Sequence, residues 1–201
     1  MKLYFLQGAC SLAPHIALYE AGLKFETEQV DRATHKTSTG RDYYSVNPNG
    51  YVPALEIDAS TVLTEVPAVL QYIADNSKET RLAPANGTLE RYQMQSWLGF
   101  VSTEIHKNFS PLFVPGVSAE YQTTVKKGLF KRFDHLESRL SKHDYLLDSG
   151  YSVADIYAFV ATGWGSYVGI ELTKWPAIQR FRERIGARAA VQSALKAEGL
   201  I

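Results

Sequence analysis

The hydrophobic spacing of the sequence changes once along the chain, and that change limits the folds that the chain can adopt. Up to about residue 76, strand patterns alternate with helical ones, whereas all hydrophobic spacing after Gly87 is helical. The stretch from Asn76 to Gly87 (NSKETRLAPANG) is polar and contains proline and glycine, as linkers do. The sequence therefore predicts an α/β domain over residues 1–80 and an all-α domain over 87–201.

The first strand and the first helix are predicted from their end signals. Leu3–Leu6 is a short apolar run that Gly8 ends. Ser11 is a preferred N-cap residue, and Pro14 falls in the first turn, where a missing N–H is tolerated. Gly22 can adopt the left-handed conformation that ends a helix. These signals predict a strand, a sharp turn and a helix.

Cys10, the single cysteine of the chain, lies just before this predicted helix. Free backbone N–H groups and the helix dipole stabilise a thiolate at such a position, which predicts a pKa below the free value of about 8.5. The alternative is a small buried residue at a strand-to-helix corner, since free cysteine usually behaves as a hydrophobe. Position alone leaves both interpretations open.

The remaining elements of the α/β domain follow from alternation and turn signals. The segment Leu23–Val30 alternates apolar and polar residues, which predicts a second strand parallel to the first. Tyr51–Ile57, with Pro53 near its start, and Thr61–Leu63 predict an antiparallel hairpin. A helix follows Glu65, an acid that can complement the helix dipole.

A long helix predicted from Thr88 onward carries two stripes at helical spacing. The apolar stripe consists of Met94, Trp97, Leu98, Val101, Ile105 and Phe109. The neighbouring small and polar stripe consists of Gly99, Thr103, His106, Lys107 and Ser110. For a lone histidine on such a stripe, a solvated helix face is the commoner interpretation.

A capping box marks the start of a later helix. Ser152 and Asp155 have the spacing of that motif, and the helix predicted over residues 153–168 carries almost no charge. It is therefore expected to be the buried central helix of the all-α domain.

Composition argues against several classes of function. The chain has 21 Lys and Arg against 21 Asp and Glu, so no basic excess favours nucleic acid or anionic lipid as a partner. One cysteine precludes an intrachain disulfide and a cysteine-cluster metal site, and the histidines show no HxxxH or HxH spacing. We expect no metal, and a reducing cytosol fits this cysteine usage best.

Neither a targeting segment nor a membrane span is predicted. The apolar run near the N-terminus is four residues long, short of the roughly 7–15 residues of a signal-peptide core. No stretch approaches the roughly 18 uninterrupted apolar residues of a membrane helix. We therefore expect a cytoplasmic protein that does not bind a membrane.

Several separated motifs together resemble one family, the cytosolic glutathione S-transferases, and in detail their bacterial beta class. They are Gly8–His15 (GACSLAPH), Asn47-Pro48 with Gly50–Leu55 (GYVPAL), Leu63–Glu65 (LTE), Glu104–Lys107 (EIHK) and Ser152–Asp155 (SVAD). The similarity extends over the whole chain. It implies the glutathione S-transferase fold, which is a thioredoxin-like α/β N-terminal domain followed by an all-α C-terminal domain.

The resemblance also implies a function and partners. It implies a homodimer with glutathione as co-substrate, no cofactor, and a glutathione site between the domains. The enzyme would conjugate glutathione to a small hydrophobic electrophile, and thiol-disulfide exchange through Cys10 is a second possibility. A non-catalytic glutathione- or ligand-binding protein on the same fold is the competing class.

Site residues carried over from the resemblance form two groups. Cys10 and His106 would be catalytic, and the glutathione-binding residues would be His35, Lys36, Tyr51, Val52, Pro53, Glu65, Val66, Gly99, Thr103, Glu104 and Lys107. Val52 would pair its backbone with the cysteinyl part, with Pro53 in cis. Glu65 and the backbone N–H of Val66 would hold the γ-glutamyl ammonium and carboxylate.

Three positions depart from the pattern of the class. Val66 stands where Gly or Ser is common, and Gly99 stands where Asn is typical. His35-Lys36 replaces a common Lys-Lys pair, so either residue could reach the glycyl carboxylate. These changes predict looser glutathione binding or room for a bulkier second substrate.

Overall fold

The computed structural model describes residues 1–77 and 81–201, which form two compact units. One unit contains Met1–Ala83 together with Arg188–Ile201, and the other contains Pro84–Ala187. Residues 78–80 of the predicted linker lie outside the described residues. The division differs from the predicted boundaries in one respect, because the C-terminal segment groups with the α/β unit.

A four-stranded mixed sheet forms the centre of the first unit, in the order β2-β1-β3-β4. The strands are β1 Lys2–Phe5, β2 Glu26–Gln29, β3 Ala54–Asp58 and β4 Thr61–Thr64. β1 is parallel to β2 and antiparallel to β3, with Leu3 opposite Leu55. β3 and β4 are antiparallel, with Leu55 opposite Leu63. The predicted strand-helix-strand unit and the predicted hairpin are both confirmed.

Three helices accompany this sheet: α1 Leu12–Glu20, α2 Val66–Asn76 and, from the end of the chain, a helix over Ala189–Ala197. Gly22 has a φ of 62°, so it adopts the left-handed conformation predicted at the end of α1. Ile16 on α1 and Leu70 on α2 are fully buried. The core of this unit includes consecutive residues of β1 and of α1, which is buried over residues 12–18, and one stripe of α2.

The second unit is all-α, as predicted. Its helices are α3 Leu89–Phe100, α4 Lys107–Phe109, α5 Ala119–Leu140, α6 Val153–Gly163 and α7 Pro176–Gly186, and the helix over Ala189–Ala197 in the first unit is α8. Thr88 and Ser118 cap α3 and α5 by accepting hydrogen bonds from backbone N–H groups. Between α3 and α4 the chain forms a π-helical segment, Val101–His106, where a regular α-helix was predicted.

The predicted central helix is α6. Residues 153–162 are all buried, and the capping box at Ser152 is formed. Asp155 Oδ2 accepts a hydrogen bond from the Ser152 backbone N–H at 2.8 Å, and Oδ1 accepts one from the Leu146 N–H at 2.8 Å. Burial raises the pKa of Asp155 to about 6, against these hydrogen bonds, which lower it. The α-helix is shorter than predicted and continues as a 3₁₀-helix over Trp164–Val168.

Across residues 1–77 and 81–201, no helix combines the length and apolar character that crossing a membrane requires.

Candidate functional site

Cys10 lies in the turn that precedes α1, and its side chain is buried. Its Sγ donates a hydrogen bond to the Val52 carbonyl oxygen at 3.2 Å. Burial raises the pKa of the Cys10 thiol to about 12, although the backbone N–H groups of Cys10 and Ser11 act in the opposite direction. The predicted lowering of this pKa is therefore wrong for the protein as the structure shows it. The helix N-terminus is present, but desolvation outweighs it.

Ser11 also differs from its prediction. It occupies the N-cap position of α1, but its side chain makes no capping hydrogen bond. Its hydroxyl instead accepts a hydrogen bond from the Leu6 N–H at 3.1 Å and donates one to the Leu6 carbonyl at 3.2 Å. The serine therefore fixes the turn that carries Cys10 to the end of β1.

The segment before β3 presents backbone groups beside Cys10. The Val52-Pro53 peptide bond is cis, as the resemblance implied. Tyr51 is 73% exposed, and its carbonyl accepts hydrogen bonds from the Tyr43 hydroxyl at 2.9 Å and from the Asn47 amide at 2.6 Å. These two bonds fix the backbone on which Val52 lies.

Glu65 precedes α2 with a φ of 68°, an unusual value for a residue other than glycine. Its carboxylate is exposed and makes no hydrogen bond or ion pair within residues 1–77 and 81–201. Val66 begins α2, so its backbone N–H has no partner inside the helix. An unpaired acid thus lies beside a helix N-terminus, an arrangement that suits a ligand carrying both an ammonium and a carboxylate.

His35 is the other non-glycine residue with positive φ in the described part of the chain, at 52°. Its ring stacks on Tyr44 with a centroid distance of 4.7 Å. Gly50 packs against both rings, because a Cβ there would lie 2.7 Å from Tyr44 and 3.2 Å from His35. Lys36 is exposed. The imidazole is therefore held in a packed cluster, while the ammonium of Lys36 extends into solvent.

His106 ends the π-helical segment of the second unit and is partly buried. Its Nδ1 lies 2.6 Å from the Tyr157 hydroxyl, and its ring meets the edge of Trp164 at a centroid distance of 4.8 Å. Burial, assisted by the charge of Lys107, lowers the pKa of His106 to about 4. The imidazole is therefore neutral at physiological pH. π-Helical turns occur frequently at functional sites.

The other predicted residues of this segment make local contacts. The Thr103 hydroxyl donates to the Gly99 carbonyl at 3.0 Å. Glu104 forms an ion pair with Arg132 on α5 at 2.8 Å. Lys107 is exposed, and a Cβ at Gly99 would meet nothing within 4 Å. The side chains of Thr103 and Glu104 thus make these polar contacts within the second unit.

His106 lies beside an aromatic cluster that the sequence pattern does not indicate. Trp164 contacts Phe113 at a centroid distance of 6.3 Å and Phe109 at 5.8 Å, while Tyr157 is fully buried. Because α6 is apolar on every face, its sequence pattern does not show which of its side chains meets the histidine.

The described residues offer no metal site, and a separate groove lies away from the predicted residues. No group of three or more His, Cys, Asp and Glu side chains in residues 1–77 and 81–201 is placed to hold a metal ion. The groove, of about 760 Å³, is lined by residues including His15, Tyr19 and Phe25. None of the predicted site residues lines it.

Comparison with known proteins gives a consistent picture. Residues 8–76 match the glutathione S-transferase N-terminal domain, and residues 100–189 match the glutathione S-transferase C-terminal domain. The chain is 39% identical over 200 residues to the glutathione S-transferase GstA of Escherichia coli O157:H7, with both chains covered completely.

Two solved structures resemble the chain over its whole length. BphK, a bacterial GST solved as a ternary complex, is 55% identical with a TM-score of 0.97, and the match covers 99% of this chain and 100% of that one. The beta-class enzyme of Sphingomonas chungbukensis is 47% identical with a TM-score of 0.97, and both chains are covered completely. The chain therefore belongs to the glutathione S-transferase family, in its bacterial beta class, and is a glutathione transferase.

Proposed function

We propose that this transferase holds glutathione along its first unit and joins the glutathione sulfur to a small hydrophobic electrophile. The observation that carries the proposal is the unpaired carboxylate of Glu65 beside the N-terminus of α2. The γ-glutamyl group of glutathione has the matching ammonium and carboxylate. In this assignment the ammonium pairs with Glu65, and the carboxylate accepts a hydrogen bond from the Val66 N–H.

We assign the cysteinyl and glycyl parts of glutathione to neighbouring backbone groups and to a neighbouring positive charge. The backbone of Val52, which lies between Tyr51 and Pro53, would pair with the cysteinyl residue. Lys36 would pair with the glycyl carboxylate, because its ammonium is exposed whereas His35 is stacked on Tyr44.

The chemistry assigned to the site is a nucleophilic substitution. With an aryl chloride, the glutathione thiol first gives its proton to solvent. The thiolate then forms the new carbon–sulfur bond as the carbon–chlorine bond breaks and chloride leaves to solvent. A neutral His106 can donate a ring N–H to the thiolate, and Lys107 adds positive charge. Thr103 and Glu104 support this segment through their local bonds, and Gly99 leaves room beside it.

The protonated state of the Cys10 thiol favours conjugation over thiol-disulfide exchange. Exchange requires a thiolate, and burial raises the pKa of Cys10 to about 12. Conjugation uses the sulfur of glutathione and leaves Cys10 as a hydrogen-bond donor toward Val52. Exchange is therefore the second candidate.

The second substrate and the assembly are also proposed. The ring of Phe113, which is 36% exposed and contacts Trp164 beside His106, suits a flat aromatic electrophile. We assign a homodimer and a cytoplasmic location, which rest on the family resemblance and on a single thiol suited to a reducing compartment.

The test is glutathione binding by titration calorimetry together with turnover of an aryl chloride. Glu65→Gln should weaken binding by about 1.5–3 kcal/mol, the range for a hydrogen bond to a charged group. The matched control is Glu26→Gln, an exposed carboxylate on β2 that should leave affinity unchanged. Equal affinity in both variants would remove Glu65 from the site. A wild-type protein that binds glutathione without turning over the aryl chloride would contradict conjugation.

A further inference from the structure

Tyr157 places a phenol against His106 inside the second unit. Its side chain is fully buried on α6, and its hydroxyl oxygen lies 2.6 Å from His106 Nδ1. A buried hydroxyl requires a hydrogen-bond partner, and the imidazole supplies one. The distance is short for a hydrogen bond between uncharged groups. This contact therefore restrains the orientation of the His106 ring as well as that of the Tyr157 side chain.

The direction of this hydrogen bond follows from the chemistry of the two groups. A phenol O–H is a better donor than a neutral imidazole N–H, and an imidazole nitrogen is a better acceptor than a phenol oxygen. The Tyr157 hydroxyl therefore donates, and His106 Nδ1 accepts with its lone pair. Which nitrogen of a neutral histidine carries the proton is set by the bond that the other nitrogen makes. The proton is then on Nε2.

We propose that Tyr157 is a positioning residue that holds His106 in its Nε2–H tautomer, so that Nε2 donates a hydrogen bond to the sulfur of glutathione. This inference rests on the proposed role of His106 in conjugation. The tyrosine itself touches no reacting atom, so its contribution acts through the histidine.

Three features of the site agree with this role. Within residues 1–77 and 81–201, Nε2 of His106 makes no hydrogen bond, so that atom remains available to a substrate. The ring of Trp164 makes a T-shaped contact with the imidazole, with the ring centroids 4.8 Å apart, and limits its rotation. Burial lowers the pKa of His106 to about 4, which keeps the ring neutral at pH 7, where the choice of tautomer decides which atom donates.

The direct test is a measurement of the His106 tautomer by long-range ¹H–¹⁵N NMR of the ¹⁵N-histidine-labelled protein at pH 7. The His106 signals are assigned by their loss in His106→Gln. In the wild type we expect a protonated Nε2 and an unprotonated, hydrogen-bonded Nδ1. A protonated Nδ1 in the wild type overturns the proposal, and this measurement needs no variant at Tyr157.

Tyr157→Phe then tests whether the bond matters for the reaction. The variant keeps the ring and removes only the hydroxyl, so we expect a measurable fraction of the Nδ1–H tautomer and a higher His106 pKa. The fall in kcat should be roughly two- to tenfold, the equivalent of one lost neutral hydrogen bond, with KM for glutathione little changed.

The matched control is Thr162→Val, which removes another buried hydroxyl from α6 while preserving side-chain shape. It should leave the His106 tautomer and kcat at wild-type values. The proposal is overturned if Tyr157→Phe keeps the wild-type tautomer, or if the tautomer changes while kcat does not. A wild-type kcat in His106→Gln would instead refute the proposed role of His106, so the two failures are distinguishable.

Discussion

Two effects of opposite sign act on the thiol of Cys10. The start of α1 offers backbone N–H groups that favour a thiolate, and burial favours the neutral thiol. Burial has the larger effect because Cys10 is only 8% exposed and donates its S–H to the Val52 carbonyl. The free protein should therefore carry a protonated Cys10 at neutral pH.

Alkylation of the free protein by iodoacetamide tests this state. Since burial raises the pKa of Cys10 to about 12, the rate should stay low at pH 7 and rise with a midpoint above the free-thiol value of about 8.5. The urea-unfolded chain is the control, because the same cysteine should then react with a midpoint near about 8.5. A folded-state midpoint below that of the unfolded chain would show that the helix N-terminus dominates.

His35 and Glu65 share a conformation that ordinary side chains rarely adopt. Both have positive φ, which costs on the order of 1–3 kcal/mol for a residue other than glycine and is concentrated at functional sites. No residue preference in the sequence indicates this strain. It marks both positions as candidate parts of a functional site, independently of the motifs.

Among the elements, α6 depends most on a single motif. Ser152 Oγ accepts a hydrogen bond from the Ala154 N–H at 3.3 Å and donates one to Asp155 at 2.9 Å. Asp155 in turn accepts from two backbone N–H groups. The helix start and the preceding loop are thus joined through one buried carboxyl group.

Stability should depend on pH through Asp155 in a defined direction. Its folded-state pKa is raised from 3.8 to about 6, so the folded protein binds more protons than the unfolded chain between these values. The free energy of unfolding therefore falls as pH rises through this window and levels off above it. In Asp155→Asn this component should disappear, whereas Ser152→Ala should keep it while losing about 1 kcal/mol, up to about 2.

Urea denaturation of the wild type, Asp155→Asn and Ser152→Ala at several pH values measures these differences in the free energy of unfolding. Equal pH dependence in the wild type and in Asp155→Asn would contradict the raised pKa. An unchanged denaturation midpoint in Ser152→Ala would show that the capping box contributes nothing to stability.

At the scale of the whole molecule, the end of the chain is part of the first unit. Glu198 is buried, and its carboxylate lies 2.9 Å from His15 Nδ1 and accepts a hydrogen bond from the Gly8 N–H at 2.9 Å. Arg188 pairs with Glu20 at the end of α1. The unit that carries Cys10 and Glu65 is therefore completed only by residues 188–201.

Glu198→Ala should destabilise the first unit. It removes the shared acceptor from His15 and Gly8, and a buried donor deprived of its acceptor costs about 1–3 kcal/mol. The matched control is Lys196→Ala, an exposed position in the same segment, where a change within about 0.5 kcal/mol is expected. Thermal unfolding followed by calorimetry compares the two. Equal midpoints would show that Glu198 does not hold the segment.

By itself the sequence determined the features that depend on local spacing. The strand-helix-strand unit, the hairpin, the all-α second part and the capping box at Ser152 all follow from periodicity and end signals within a few residues. The resemblance to the beta class came from short motifs of the same local kind. These predictions succeeded because hydrophobic spacing and capping chemistry act over one or two turns.

Tertiary structure decided the features that depend on distant partners. The protonated state of Cys10 depends on how deeply the surrounding residues bury it, and Val52 and Glu198 are far from it in sequence. The placement of α8 in the first unit likewise involves distant partners, because α8 packs on α1 and Glu198 pairs with His15. His106 meets Tyr157, 51 positions away, across two packed helices. Burial and tautomer are set by atoms that meet only in the folded chain, so local sequence patterns do not contain them.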